Sequence, residues 1–485
     1  MRHHLPVFVF LLPFGMAICM PLISLVRPKW CRGLTMLALA AMTGLSVMLY
    51  SHVIAQGPIR YALSGWMPPL GIEWIVDGLS GLLLPLLGSL ALMGVWYAGP
   101  LVTEGKGSIH FHLLTLLLVS GLSGMVMAGD LFNIFVFLEV SALSSYALVG
   151  SAGGRALVSA FRYLILGTLG ASLYLLGVGY FYAVTGTLNM TDLADRLPDL
   201  LASKAVMAGF IFMLIGLGIK MALVPLHGWL PDAYVDAPDS VSPLLAPLVT
   251  KVALYAVVRV MYWVVGGEEV GETLPILTLS SWLGAVAALV GAFLALSQQE
   301  LKRMFAYAGI SHVGIIVMGV CLGNPTGFAG GIFYLLTDAV MQAALFYIAG
   351  TAFYSLGIRT LADLGRLRGQ MPWVIGVLIV IAISMIGIPP SGGFFGKWYI
   401  ILGALEAGNY IVVGGVVGAT LLTLGYFVTI FERIFVDSVS SGPAVLAESP
   451  LSMRATMGML AAASLVLGLM SDPMIRLILD HAFPG

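Results

Sequence analysis

The chain has 485 residues, 60% of them hydrophobic and 9% charged, with a formal net charge of −1 at pH 7. Soluble domains carry about 25% charged residues, so this composition, with a mean hydropathy of +1.02, belongs to a membrane protein. The near-zero net charge excludes a bulk electrostatic claim on nucleic acid, and Cys19, Cys31 and Cys321 show no CxxC, metal spacing or disulfide pattern.

The fold class expected is all-α and polytopic. Apolar runs long enough to cross about 30 Å of hydrocarbon recur from end to end. Roughly 14 transmembrane helices are expected, at 5–26, 33–55, 75–98, 110–128, 130–150, 156–184, 204–235, 241–265, 274–297, 303–322, 326–356, 373–407, 409–436 and 452–475. The first, Leu5 to Val26, is too long for a signal-peptide core and lacks a small-residue cleavage site, so it reads as a span. Asp77 and Asp130 stand at helix starts, where N-capping accounts for them. The fifth span carries Glu139 in "LFNIFVFLEVSALSS". The seventh, "LIGLGIKMALVPLHGWLPDAY", holds Lys220 and is too long for one straight crossing. Pro225 lacks a backbone donor and clashes with the preceding turn, so a break is expected from Val224 to His227. The eighth span carries Lys251, the tenth His312 and the eleventh Asp338. In the twelfth, "IAISMIGIPPSGGFFGKWYII", Pro389 and Pro390 interrupt the helix just before Lys397. Trp229, Tyr234, Trp398 and Tyr399 read as interface anchors and packing residues.

Interrupted helices at matching places in two halves are the best sequence pointer to a transport site. Residues 110–265 (helices 4–8) and 274–436 (helices 9–13) then form two five-helix repeats, with a broken fourth helix in each. An odd number of helices makes the second copy inverted. Residues 1–109 hold helices 1–3, and 452–485 the C-terminal helix.

Most loop bases follow spans 1, 3, 5, 9, 11 and 13, among them Arg27, Lys29, Arg155, Arg162, Lys302, Arg303, Arg359, Arg366 and Arg368. The other side has Arg2, Arg60, Arg196, Lys204, Arg259 and Arg476. The positive-inside rule therefore puts both termini on the outer side. The loop after span 7 is an exception, with Asp232, Asp236, Asp239 and no base. Three bases are left inside apolar helices, Lys220, Lys251 and Lys397, with Glu139 and Asp338 as the buried acids. A basic residue at a helix centre costs about 2.5–3.5 kcal/mol on insertion scales, so it needs a partner or a wet cavity. Buried ion pairs add little net stability, which makes a structural role a weak account of these residues. His312 serves either packing or proton transfer, and His227 either the freed backbone or proton transfer.

Segments 65–86 (GWMPPLGIEWIVDGLSGLLLPL), 129–150, 220–259, 300–314 (ELKRMFAYAGISHVG) and 387–398 (GIPPSGGFFGKW) carry a family resemblance. The chain resembles the antiporter-like subunits shared by Mrp-type sodium/proton antiporters, respiratory complex I and membrane-bound hydrogenases, most nearly the D-type subunit of the Mrp antiporters. The resemblance implies a proton-translocating subunit of a multisubunit complex in a bacterial or archaeal inner membrane. Its partners would be other subunits, lipid, protons and, as candidate cation, sodium. Glu139 looks like the family's fifth-helix glutamate paired with the seventh-helix lysine, Lys220; Lys251 and Lys397 look like its eighth- and twelfth-helix lysines. The eleventh helix departs from the pattern: Thr337, Asp338 and Gln342 stand where relatives have a histidine and then a lysine. A gap in the relay is therefore expected between Lys251 and Lys397, with either Asp338 as a titratable substitute or ordered water to bridge it. A complex I-like or hydrogenase arm, or a degenerate structural subunit, are the other readings. No nucleotide motif, iron–sulfur cysteine set or metal cluster appears, so no cofactor or catalytic redox site is expected.

Overall fold

The computed structural model describes residues 4–102, 106–266, 275–436 and 449–483, so Arg2 lies outside the described residues. Helices α1 (Leu5–Val26) and α2 (Trp30–Gln56) lead into an antiparallel hairpin, β1 (Ile59–Ala62) with β2 (Glu73–Val76), in the register Ile59 to Val76. Helix α3 (Gly78–Tyr97) starts at Asp77, which forms a capping box with Ser80. Then follow α4 (Lys106–Met127), α5 (Leu131–Gly150), α6 (Arg155–Thr185) and the short α7 (Met190–Arg196). Asp130 caps α5 by accepting from the Asn133 amide at 2.9 Å.

The seventh predicted span is broken into α8 (Lys204–Lys220) and α9 (Leu230–Asp236). The break starts earlier than Val224. Pro225 leaves the carbonyl four residues back without its donor and pushes Val224 away from the helical region. The chain leaves the helix after Lys220, with Ala222 at φ +58°. After α10 (Ser242–Arg259), which continues as a π turn at Val260–Val264, come α11 (Ile276–Leu296), α12 (Leu301–Val320) and α13 (Pro325–Leu356). The twelfth predicted span is likewise two helices, α14 (Pro372–Ile386) and α15 (Gly392–Glu406). Gly387, at φ +89°, ends α14 in the left-handed conformation that glycine adopts at least cost. Helices α16 (Tyr410–Phe435), α17 (Leu451–Leu469) and α18 (Ser471–His481) complete the described chain. The last predicted span, 452–475, thus ends sooner, at Leu469, and Ser471 begins a separate helix.

Among the described residues, 12 helices are long and apolar enough to cross a membrane. The two predicted spans absent from that set are the interrupted ones. Helix α10 is buried at every position, as is α13 from Gly327 to Ala352; these two form the centre. Around them α1, α2, α6, α11 and α16 turn apolar faces outward, with Ile18, Leu37, Phe161, Phe293 and Leu421 exposed. In lipid, helices gain little from hiding apolar surface from each other, so close backbone contact must hold them. Glycines supply it: a Cβ on Gly216 of α8 would lie 2.4 Å from the Gly170 carbonyl of α6, and one on Gly177 2.4 Å from the Gly209 carbonyl.

Candidate functional site

The α6–α8 contact sets Lys220, the last residue of α8, beside α5. Its Nζ lies 3.4 Å from Glu139 Oε1 and donates to the Tyr146 hydroxyl at 3.2 Å. Aromatic rings brace this corner. Tyr146 meets Tyr163 edge-on, and Tyr163 stacks flat on Trp229 with centroids 4.0 Å apart. Trp229 Nε1 then donates to the Ile219 carbonyl at 2.7 Å, satisfying an acceptor at the end of α8. Of the two roles expected for it, interface anchor and packing residue, Trp229 has the second: it is a buried brace across the break.

A second cluster forms where α10, α12 and α13 meet. Lys251 Nζ stands 2.8 Å from Asp338 Oδ2 and also donates to the Ala246 carbonyl at 3.1 Å. The other oxygen, Oδ1, is 2.8 Å from His312 Nδ1, and the Tyr334 hydroxyl is 3.2 Å from the same nitrogen. Lys251 is 3% exposed, and Asp338 and His312 are 0% exposed, so each charge depends on its neighbours for compensation. Lys397 lies on the far side of Tyr334, with Nζ 5.9 Å from the ring centroid. Its ammonium donates to Met385 O at 2.7 Å and Ile386 O at 3.3 Å. Those carbonyls belong to the last turn of α14, at the negative end of a half-helix, where a cation is favoured.

Asp338, the substitute expected between Lys251 and Lys397, does stand beside Lys251. Asp338 touches Lys251 and His312 at once, and Tyr334 bridges toward Lys397. Among the described residues no direct hydrogen bond joins Lys220 to Lys251, or Lys397 to the Asp338 cluster. Thr337 turns its hydroxyl to the Tyr334 carbonyl at 3.0 Å, and the Gln342 amide nitrogen has no protein partner. His227 stays apart from both clusters, with its ring 6.2 Å from Tyr307. Pro225, Pro389 and Pro390 are exposed on the turns they create.

Two features were missed in the sequence. Arg259, counted there as a loop base, is 4% exposed within the α10 end and forks onto both oxygens of Asp77. Its position eight residues after Lys251 is the signal that could have found it. The acidic loop after span 7 lies among bases: Asp232 pairs with Arg162 at 3.1 Å and Arg303 at 3.0 Å, and Asp239 pairs with Lys302 at 3.0 Å. Among the described residues no group of three or more His, Cys, Asp or Glu could hold a metal ion.

The chain as a whole is similar to known proteins. Residues 128–423 match the family described as NADH:quinone oxidoreductase/Mrp antiporter, TM. The NADH-quinone oxidoreductase N subunit of Desulforudis audaxviator is 39% identical over 502 residues, covering 100% of this chain and 99% of its own. The putative antiporter subunit mnhD2 of Staphylococcus saprophyticus is 34% identical, covering 92% and 88%. The Na(+)/H(+) antiporter D subunit of Alkalihalophilus pseudofirmus is 31% identical, covering 82% and 80%. A chain of the Mrp complex from Dietzia sp. superposes with a TM-score of 0.88 at 26% identity, covering 98% of this chain and 96% of that one. A chain of the archaeal membrane-bound sulfane sulfur reductase gives 0.90 at 27%, with the same coverage. The chain belongs to the NADH:quinone oxidoreductase/Mrp antiporter transmembrane family.

Proposed function

We propose that this chain is the proton-translocating subunit of a multisubunit membrane complex, most like the D-type subunit of an Mrp sodium/proton antiporter. The observation that carries the reading is the series of titratable groups inside apolar helices, half-buried Glu139 with buried Lys220 and then buried Lys251, Asp338 and His312 with Tyr334 and Lys397. Intramembrane ionisable residues are expensive and are kept where ions or protons move. A lysine next to a carboxylate holds its proton, and separation of the two releases it. Protons pass in this reading from Glu139 and Lys220, through water, to Lys251, Asp338 and His312, and on to Lys397. Only O–H and N–H bonds change, so an ion gradient or a redox partner supplies the drive.

Two further parts of the proposal concern the whole chain. Residues 110–265 and 274–436 form inverted repeats whose broken helices open to opposite sides. In support, each segment carries one interrupted span as its fourth, α8–α9 in the first and α14–α15 in the second. The chain sits in a bacterial or archaeal cytoplasmic membrane with both termini outside.

The test is Lys220→Ala in everted vesicles carrying the whole complex. Sodium-driven dissipation of a pH gradient is expected to vanish while the complex still assembles; wild-type rates would overturn the reading. The full-length 39% identity to an NADH-quinone oxidoreductase N subunit favours a second reading, the proton-pumping arm of an NADH:quinone oxidoreductase-like complex. Purification of the intact complex separates the two: iron–sulfur subunits favour the second, small antiporter subunits the first. The two partners of Asp338 speak against a degenerate structural role.

A further inference from the structure

Helix α10 carries Lys251, Tyr255 and Arg259 at spacings of four, one above the other on a single face. The first joins the Asp338 cluster. The last ends at a cavity of about 200 Å³ whose walls include Arg60, Asp77, Thr191, His481 and Phe483. That volume has room for several waters, and these polar side chains offer them partners. Eight residues of helix separate Lys251 from Arg259, about 12 Å along the axis.

Between this cavity, which it lines, and Lys251 on the same helix stands a buried permanent cation. The Arg259 guanidinium forks onto Asp77, its Nε donates to the Tyr255 hydroxyl at 2.6 Å, and it lies 4.4 Å from the Trp263 ring centroid. Tyr255 in turn donates to the Val126 carbonyl at 2.6 Å. Arginine cannot deprotonate in a protein, so it cannot hand a proton on. A fixed positive charge at a narrow point excludes protons and cations from a pore. Asp77 has both oxygens on the guanidinium and accepts the Ser80 amide as well, which leaves it no freedom to ferry a proton past the arginine.

We propose that Arg259, held by Asp77, is a fixed-charge barrier that keeps protons and metal cations from entering the Lys251–Asp338 cluster through this cavity. The inference rests on the relay reading above, since a barrier needs a route to guard. A second water-filled entry to the same lysine would short-circuit coupling, because protons could run downhill without the exchanged ion.

The experiment measures passive collapse of an imposed pH gradient, without sodium, in vesicles carrying the assembled complex. The double variant Arg259→Gln/Asp77→Asn removes the charge while leaving no unpaired buried ion. It is expected to collapse the gradient on the order of ten-fold faster than wild type. Arg259→Lys, which keeps the cation, is expected to stay tight. Adding Lys251→Ala to the double variant should suppress the leak. An assembled double variant that is as tight as wild type overturns the barrier, and a leak that survives Lys251→Ala overturns its placement before the relay. A second measurement covers poor assembly. In a chain with Cys19, Cys31 and Cys321 replaced and otherwise wild type, Thr191→Cys should react with a membrane-impermeant maleimide and Tyr255→Cys should not. An unreactive Thr191→Cys, or a reactive Tyr255→Cys, overturns the proposal. Failure of the relay reading itself shows separately, as normal transport in Lys220→Ala.

Discussion

Asp338 is held in place by charge. It has no exposed surface and stands between Lys251 and His312 at 2.8 Å from each. Removing one member of a buried ionic group leaves the other uncompensated, which typically costs about 3–5 kcal/mol, whereas replacing the whole group by apolar residues costs far less. Asp338→Ala should therefore lower the thermal stability of the purified complex markedly, and Lys251→Met added to Asp338→Leu should recover most of the loss. Transport should be absent in both. A single variant as stable as wild type would mean that Lys251 finds another partner. The presence of Asp338 was legible as an acid in an apolar run; its partners were not, because they come from helices far away in sequence. Arg259 was misread for a related reason. It lies six residues from the end of the predicted eighth span, close enough to be counted with the bases beside the loops, and Asp77 looked fully explained by the cap it does form with Ser80.

At the scale of elements, the breaks in the seventh and twelfth spans were legible from Pro225 and from the Pro389–Pro390 pair, since proline acts locally. Where α8 stops was less so: the effect of Pro225 runs back through Val224 to the turn at Ala222, and Lys220 becomes the last helical residue. The hairpin of β1 and β2 went unseen because four-residue strands between two spans leave almost no pattern. The glycine contact of α6 and α8 fixes how far Lys220 stands from Glu139. A Leu side chain at Gly216 would meet the Gly170 carbonyl and the Tyr174 backbone, neither of which can turn aside. Gly216→Leu should separate the two helices, weaken assembly and reduce transport well below wild type with every titratable group still present. Small residues at close helix contacts are the means of association in lipid, so Gly216→Ala should show a milder version of the same defect. Equal activity in the Leu variant would place the origin of the Glu139–Lys220 contact elsewhere.

At the scale of the whole chain, the orientation hangs on one awkward loop. Asp232, Asp236 and Asp239 looked out of place on a side otherwise rich in bases. Their neighbours are Arg162, Lys302 and Arg303, so this stretch joins the basic loops on one face and its acids neutralise bases from two other loops. The positive-inside rule counts Lys and Arg and gives acids little weight, which is why a carboxylate-rich turn can sit on the inner side. From the turn after α7 to the turn after α11 the chain passes through the broken α8–α9 segment, α10 and α11, three crossings in the proposed topology. The two turns must then face opposite sides. In a chain with Cys19, Cys31 and Cys321 replaced, a membrane-impermeant maleimide should label Asp199→Cys in intact cells and Ser297→Cys in everted vesicles. Both positions are exposed, so reactivity reports sidedness and not burial. The reverse pattern would invert the chain and exchange the sides reached by the two broken helices. Labelling of both from one side would remove a crossing between them, and with it the assignment of α8 and α9 to a single interrupted span.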